Sequence, residues 1–154
     1  DAALQIIGRN VNGFHRSFSR VIGSDALIYR LLFNLTENAV KYNRPGGSVR
    51  VELAQGQEKC IIRVSDTGCG IPAEHLPNVK KKFYKANQLV RGSGIGLAVA
   101  DEIARLHGGS LDIQSQEGVG TMVTFSLPTC SHLEADPQLT ETPELLKFIQ
   151  ERKP

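Results

Sequence analysis

Twice along this chain a helical spacing of apolar residues stops at glycine and gives way to a pair of strand-like runs. The first pattern opens at Ser24-Asp25 and puts Leu27, Ile28, Leu31, Leu32, Leu35 and Ala39 on one face. It predicts a helix to about Tyr42, halted ahead of Pro45-Gly46-Gly47. Strand-like runs over 49–53 and 60–64 follow, joined by the polar turn Gln55-Gly56-Gln57-Glu58. The second helical pattern follows Gly96, with Leu97, Val99, Ala100, Ile103, Ala104 and Leu106, and ends at His107 before Gly108-Gly109. Runs over 111–114 and 121–127 then read as a hairpin around 116–120. Helices that each bury one stripe need a common sheet face to bury it on. The order therefore predicts an α+β fold, a two-layer sandwich with a mixed, mostly antiparallel sheet and helices on one face.

The ends carry weaker patterns. Residues 4–7 and 14–22 read as strands, although Phe14, Phe18 and Ile22 equally mark a helix. After Pro128 the chain turns polar, with a short helical pattern over 143–151. The expected organisation is an N-terminal segment, 1–23, contributing strands to the same domain, a folded domain over 24–128, and a polar tail over 129–154. The chain opens at Asp1 rather than Met, so a fragment of something larger is expected.

Composition narrows the functional classes. At 154 residues, 40% hydrophobic and 22% charged, the chain matches one ordinary globular domain. A net charge of +2 with dispersed basic residues, apart from Lys80-Lys81-Lys82, gives no footprint for nucleic acid. No apolar stretch has bilayer-spanning length and no signal-peptide pattern opens the chain, so no membrane contact is expected. Three cysteines, Cys60, Cys69 and Cys130, form no CxxC pair and leave one over, which fits a reducing, cytoplasmic compartment. Nor does any His, Cys and carboxylate spacing form a metal cluster.

Three stretches carry chemistry. In "VRGSGIGLAVADEIARLHGG", Gly92, Gly94 and Gly96 alternate just ahead of a helix, where a backbone can approach phosphates. The spacing is not the dinucleotide G-x-G-x-x-G, since Leu97 takes the sixth place, and a Walker A Gly-Lys-Ser/Thr is absent. In "LLFNLTENAVKYN", Asn34, Glu37, Asn38 and Lys41 share one helix face. Paired Asn residues are poor helix formers, but a fixed amide oxygen suits a hard cation such as Mg²⁺. In "SDTGCGI", Asp66 closes an apolar strand and can accept from an exocyclic amine, while flanking Gly68 and Gly70 let a flat ring come close. Taken singly, each has a plainer reading: a flexible turn, a solvated helix face, an ordinary Asp-Gly turn.

Together, "NLTENAVKYN", "DTGCGI", "KKFYKAN" and "GSGIGLAVADEIARLHGG" resemble, in order and spacing, the N, G1, F and G2 boxes of the catalytic ATP-binding domain of sensor histidine kinases. The resemblance covers residues 24–127 and implies the Bergerat ATP-binding fold, with ATP and Mg²⁺ as cofactors. Position by position, it implies Asn38 as the Mg²⁺ ligand and Asn34 near metal waters or phosphates. It implies Lys41 on a phosphate, Lys85 as a phosphate contact from the lid, and Tyr42 beside adenine. Asp66 would accept the adenine amine, with Gly68, Gly70 and Ile71 shaping that pocket and Thr121 supporting it. The backbone of Gly92, Gly94, Ile95, Gly96 and Leu97 would meet the phosphates at the positive end of the second helix.

The resemblance further implies transfer of the γ-phosphoryl group to a histidine on a separate dimerisation and histidine-phosphotransfer domain, with a response regulator downstream. The parent would be a membrane-anchored bacterial sensor with this part in the cytoplasm. Hydrolysing relatives carry a Glu one turn before the metal Asn; here Asn34 stands there, and Glu37 points about 100° away from Asn38. Slow water attack and transfer to a protein acceptor are therefore expected. Alternatives are a catalytically weak nucleotide-binding module and an anti-sigma-type serine kinase of the same fold. His132, in "SHLEADP", lacks the flanking helices of an acceptor, and His15, His75 and His107 read as structural. Lys80 stands where the F box carries Phe, and the lid to Gly92 is short, which predicts a lost apolar anchor and a looser lid.

Overall fold

The computed structural model describes residues 3–10, 21, 23–55, 58–86 and 92–129. The 14–22 pattern, the 143–151 helix, His15, His132 and Cys130 lie outside the described residues or almost entirely so, as do residues 87–91 of the expected lid.

Helix α1 spans Asp25–Lys41, with Ser24 as its N-cap accepting from the Leu27 N–H, Asp25 in the first turn and Lys41 in the last. Each of these favours a helix by satisfying an end group or complementing the axial dipole. Leu31, Leu35 and Ala39, four residues apart, are its buried stripe. Helix α2 spans Gly96–Leu106 and buries Ala98, Ala100, Ile103 and Ala104. It stops where the glycines require: Gly108 takes φ +69°. Its N–H donates to Arg105 O and that of Gly109 to Ala104 O, the Schellman arrangement. Leu106, counted in the apolar pattern, is exposed because it falls off the sheet-facing side.

A five-stranded sheet has the order β1-β2-β3-β5-β4, formed by Ala3–Asn10, Ser48–Gln55, Lys59–Asp66, Ser110–Gln116 (β4) and Gly120–Pro128 (β5). β1 runs parallel to β2 and every other pairing is antiparallel. The central strands run past the apolar runs that announced them, since ladder bonds recruit polar neighbours such as Ser48 and Lys59. After the glycine-rich turn that follows β3, the chain makes one 3-10 turn, Leu76–Asn78.

Both helices cover one sheet face. Val49, Val64, Val123, Phe125, Leu111 and Leu127 point toward Leu31, Leu35, Ile103 and Ala104, forming one core. Phe125, Leu31 and Val49 are fully shielded from solvent, each contributing about 1.5–3 kcal/mol by leaving water. Alanines at 39, 100 and 104 keep α1 and α2 close together. His107 clips the outer ends of the helices: its Nδ1 bonds Ile103 O at 2.8 Å and its Nε2 accepts from the Ser24 N–H at 3.1 Å. The structural role expected of His107 is thus the one it plays.

Candidate functional site

Between α1, the start of α2 and the end of β3 lies a cavity of about 710 Å³. Its walls include every candidate named from the sequence except Gly68: Asn34, Asn38, Lys41 and Tyr42 from α1 and its cap, Asp66, Gly70 and Ile71 from the turn after β3, Lys85, the backbone run Gly92, Gly94, Ile95, Gly96 and Leu97, and Thr121 from β5. Gly68 stands behind the wall, where a Cβ would meet Tyr42 O at 2.2 Å. It lets the turn lie against the end of α1, and Cys69 N–H donates to Tyr42 O at 3.0 Å.

The polar stripe of α1 looks onto the first turn of α2. Asn34 Nδ2 donates to Gly96 O at 3.4 Å. A Cβ on Gly96 would sit 3.5 Å from Asn38 Nδ2 and 3.8 Å from its Oδ1, which places the Asn38 carboxamide directly beside the first turn of α2. That carboxamide has no hydrogen-bond partner among the described residues. Lys41 Nζ lies 5.1 Å from the Tyr42 ring centroid and reaches the position a Gly92 Cβ would take. With Arg30 and Lys85 also in the wall, this end of the cavity is cationic, and the helix N-terminus adds roughly half a positive charge.

The opposite end is built from backbone. Asp66 Oδ1 accepts from the Gly68 N–H at 2.8 Å and the Thr121 N–H at 3.3 Å. Burial pushes the Asp66 carboxyl above its ordinary value, and these two N–H bonds oppose the shift. Burial also raises the Tyr42 phenol, with Cys69 adding to the effect. Ser115, which the sequence did not single out, ties this end together. Its Oγ accepts from the Ile71 N–H at 2.8 Å, lies 2.8 Å from Thr121 Oγ1, and donates to Gly120 O at 2.9 Å. A serine in a strand carries no sequence signal for such a task. Glu37, Tyr84 and Val79 also line the cavity.

The segment before the lid corrects one expectation. The sequence predicts a lost apolar anchor at Lys80; the structure places an ion pair there, Lys80 Nζ to Asp101 Oδ1 at 2.9 Å, beside the buried Val79. The chain is docked here by an aliphatic residue and an ion pair in place of an aromatic ring. His75 is again structural, with Nδ1 2.6 Å from the Tyr84 hydroxyl. Cys60 is buried and its thiol raised by that burial, as befits an inert core group.

A shallower groove of about 580 Å³ crosses the sheet face opposite the two helices, between Arg50, Ser65, Gln114 and Met122, sharing Asp66 and Thr121 with the main cavity. It holds neither the asparagines nor the lysines of the main site. Among the described residues no cluster of His, Cys, Asp and Glu could hold a metal, and no helix is long and apolar enough to cross a membrane.

A sequence profile described as "Histidine kinase-, DNA gyrase B-, and HSP90-like ATPase" matches residues 23–131. The chain belongs to this family. Among curated relatives, it is 37% identical over 113 residues to the sensor histidine kinase RppB of Synechocystis sp., covering 71% of this chain and 25% of RppB. It is 36% identical over 103 residues to the sensor protein SrrB of Staphylococcus aureus, covering 64% of this chain and 18% of SrrB. The ATPase-domain chain thus spans about a quarter or less of these relatives. Among solved structures, the mycobacterial sensor histidine kinase MprB superposes with a TM-score of 0.69 at 27% identity, over 82% of this chain and 84% of that one. The catalytic domain of histidine kinase ThkA superposes at 0.68 and 23% identity, over 82% and 80%, which speaks for the α+β fold alone.

Proposed function

We propose that this chain is the catalytic ATP-binding domain of a sensor histidine kinase, its folded unit spanning residues 24–128 with β1 added to the same sheet. It holds Mg-ATP and presents the γ-phosphoryl group to a histidine on a separate dimerisation domain, from which a response regulator takes it. The parent is a membrane-anchored sensor with this part in the cytoplasm. One observation carries the reading: the Asn38 carboxamide, without a hydrogen-bond partner among the described residues, lies beside the start of α2 in the wall of a cavity that is cationic at one end and closed by half-buried Asp66 at the other.

The residues divide the nucleotide between them. Asp66 accepts the adenine amine through Oδ2, since Oδ1 already takes two backbone N–H groups. Tyr42 and Ile71 flank the base. Lys41, Lys85 and the N–H groups from Gly92 to Leu97 take the phosphates, whose charge the α2 dipole favours. Magnesium fits this donor set. It keeps several waters and takes phosphate oxygens, so one protein oxygen suffices, and Asn38 Oδ1 is free to be that oxygen. Bound there, it would neutralise charge on the phosphates during transfer.

The acceptor nitrogen attacks the γ-phosphorus, the N–P bond forms as the P–O bond to the β-phosphate breaks, and the electron pair leaves on ADP. Chemistry of this kind needs positioning and charge neutralisation more than a base. Asn34, engaged with Gly96 O, holds the helices in register and cannot activate water. The test is incubation with γ-labelled ATP, Mg²⁺ and a dimerisation hairpin from a sensor kinase. Acid-labile, alkali-stable label on the hairpin is expected. Acid-stable label would indicate a serine kinase, and absence of Mg-ATP binding would sink the reading altogether.

A further inference from the structure

We propose that Lys80 is a positioning residue for the nucleotide, setting affinity without touching it. This rests on the ATP reading of the main cavity. The Lys80 ammonium sits between α2 and β4, the edge strand among the described residues, paired with Asp101 Oδ1 at 2.9 Å and donating to the main-chain oxygen of Leu111. An edge strand presents carbonyls that lack ladder partners, and a lysine is well suited to cover one. Both charged side chains are partly shielded, with 37% of Lys80 and 20% of Asp101 exposed. Such a pair is screened less than one standing free in solvent.

What this holds is the chain that enters the cavity wall. Five residues on, Lys85 lines the cavity beside Tyr84. Between lies Phe83, at φ +66° the non-glycine residue in the left-handed region among the described residues. A bulky side chain keeps that conformation only when its surroundings impose it. The Phe83 ring imposes nothing, being 74% exposed. The constraint comes from either side: the Phe83 N–H donates to Gly94 O at 3.0 Å, and Lys80 anchors the approach to α2 and β4. Tyr84 and Lys85 lie against Gly94, just ahead of α2, where a Cβ would stand 2.8 Å from Tyr84 O and 3.1 Å from Lys85 Cγ, so the Lys80–Asp101 pair fixes them relative to the start of that helix. Lys80 is therefore a register pin between two walls of one cavity.

The test uses the full chain with Lys80→Met, Asp101→Asn, both together, and Lys80→Arg. Mg-ATP affinity is read by calorimetric titration, and trypsin cleavage after Lys81 and Lys82 is followed in the nucleotide-free protein. Lys80→Met and Asp101→Asn are each expected to weaken Mg-ATP by about 2- to 5-fold, the upper range of an ion pair that is partly open to solvent. The double variant should be little worse than either, as coupled partners require. Both single variants should be cut faster, while Lys80→Arg stays within about twofold of the parent in affinity. Parental affinity in Lys80→Met and Asp101→Asn overturns the proposal and leaves the ATP reading standing. So does a weakening that tracks a lowered urea midpoint and is not avoided by Lys80→Arg. A parent protein that binds no Mg-ATP fails the cavity reading itself, and this proposal with it.

Discussion

Replacing Asp66 by Asn separates the work of its two oxygens. Oδ1 accepts from two backbone N–H groups, and the Asn carbonyl can keep that position. The amide nitrogen then falls where Oδ2 was, a donor facing the donor amine of adenine. The lost interaction is a charge-assisted hydrogen bond worth about 1.5–3 kcal/mol, or about 12- to 160-fold in Kd. The free protein should respond in the other direction. Burial raises the Asp66 pKa in the folded state, so the folded chain holds this proton more tightly than the unfolded chain does. Stability contributed by this group is therefore present at acid pH. It is lost as pH rises from the ordinary carboxylate range through the raised value. At neutral pH Asp66→Asn removes that cost, and its urea midpoint should equal or exceed the parent's. Calorimetric titration with Mg-ATP at pH 7, paired with urea unfolding at pH 4 and 7, reads both arms. Parental affinity in the variant would refute the adenine assignment; weakened binding with an equally lowered midpoint would refute the division of labour between the oxygens.

Other substitutions probe the remaining parts. Asn38→Ala should abolish the Mg²⁺-dependent component of nucleotide binding, seen by titration with and without the metal, while far-UV circular dichroism stays unchanged. Gly70→Ala should destabilise the fold by about 1–3 kcal/mol in urea and weaken nucleotide binding, because φ is +67° and a Cβ would meet Gln116 O at 2.0 Å. Phe125→Ala, at the fully buried centre of the sheet, should cost about 3–5 kcal/mol in urea unfolding. Glu37→Gln should leave any slow ATP hydrolysis within about twofold of the parent, measured by phosphate release, since this exposed rim residue is turned away from Asn38.

The helix stripes were legible because Leu31, Leu35 and Ala39 repeat at a period that water enforces. Gly108, at φ +69°, and Gly109, where a Cβ would strike Ser126 O, marked the end of α2 by conformational and steric need. The resemblance, and not periodicity, supplied the site residues. The fold then brought Asn38, Lys41, Asp66 and the glycine run into one cavity. What stayed hidden depends on contacts between distant segments. The parallel pairing of β1 with β2 is a matter of register between strands some forty residues apart, which neither strand encodes alone. Ser115 acquires its role from Ile71 and Thr121, and Lys80 from Asp101 and Leu111 O. Lys80 in particular read as a lost contact because only one kind of anchor was expected there.

The glycines around Asp66, at the end of the cavity proposed to take the base, have a consequence for how this site can change over generations. A Cβ on Gly68 would strike Tyr42 O, one on Gly70 would strike Gln116 O, and one on Gly120 would strike Asp66 O. At these three glycines the end of α1, the turn after β3 and the β4–β5 hairpin approach main chain on main chain, and the Ser115 hydroxyl bridges the turn to the hairpin. Point substitution can resize a pocket walled by side chains; at these three positions it can only drive a Cβ into backbone. The phosphate end hangs instead on long side chains such as Lys41 and Lys85, which lengthen, shorten or swing by single changes. Descendants of this chain should therefore drift in how they grip and release the phosphates while keeping the same base, and a switch of base would require an insertion or deletion in the hairpin.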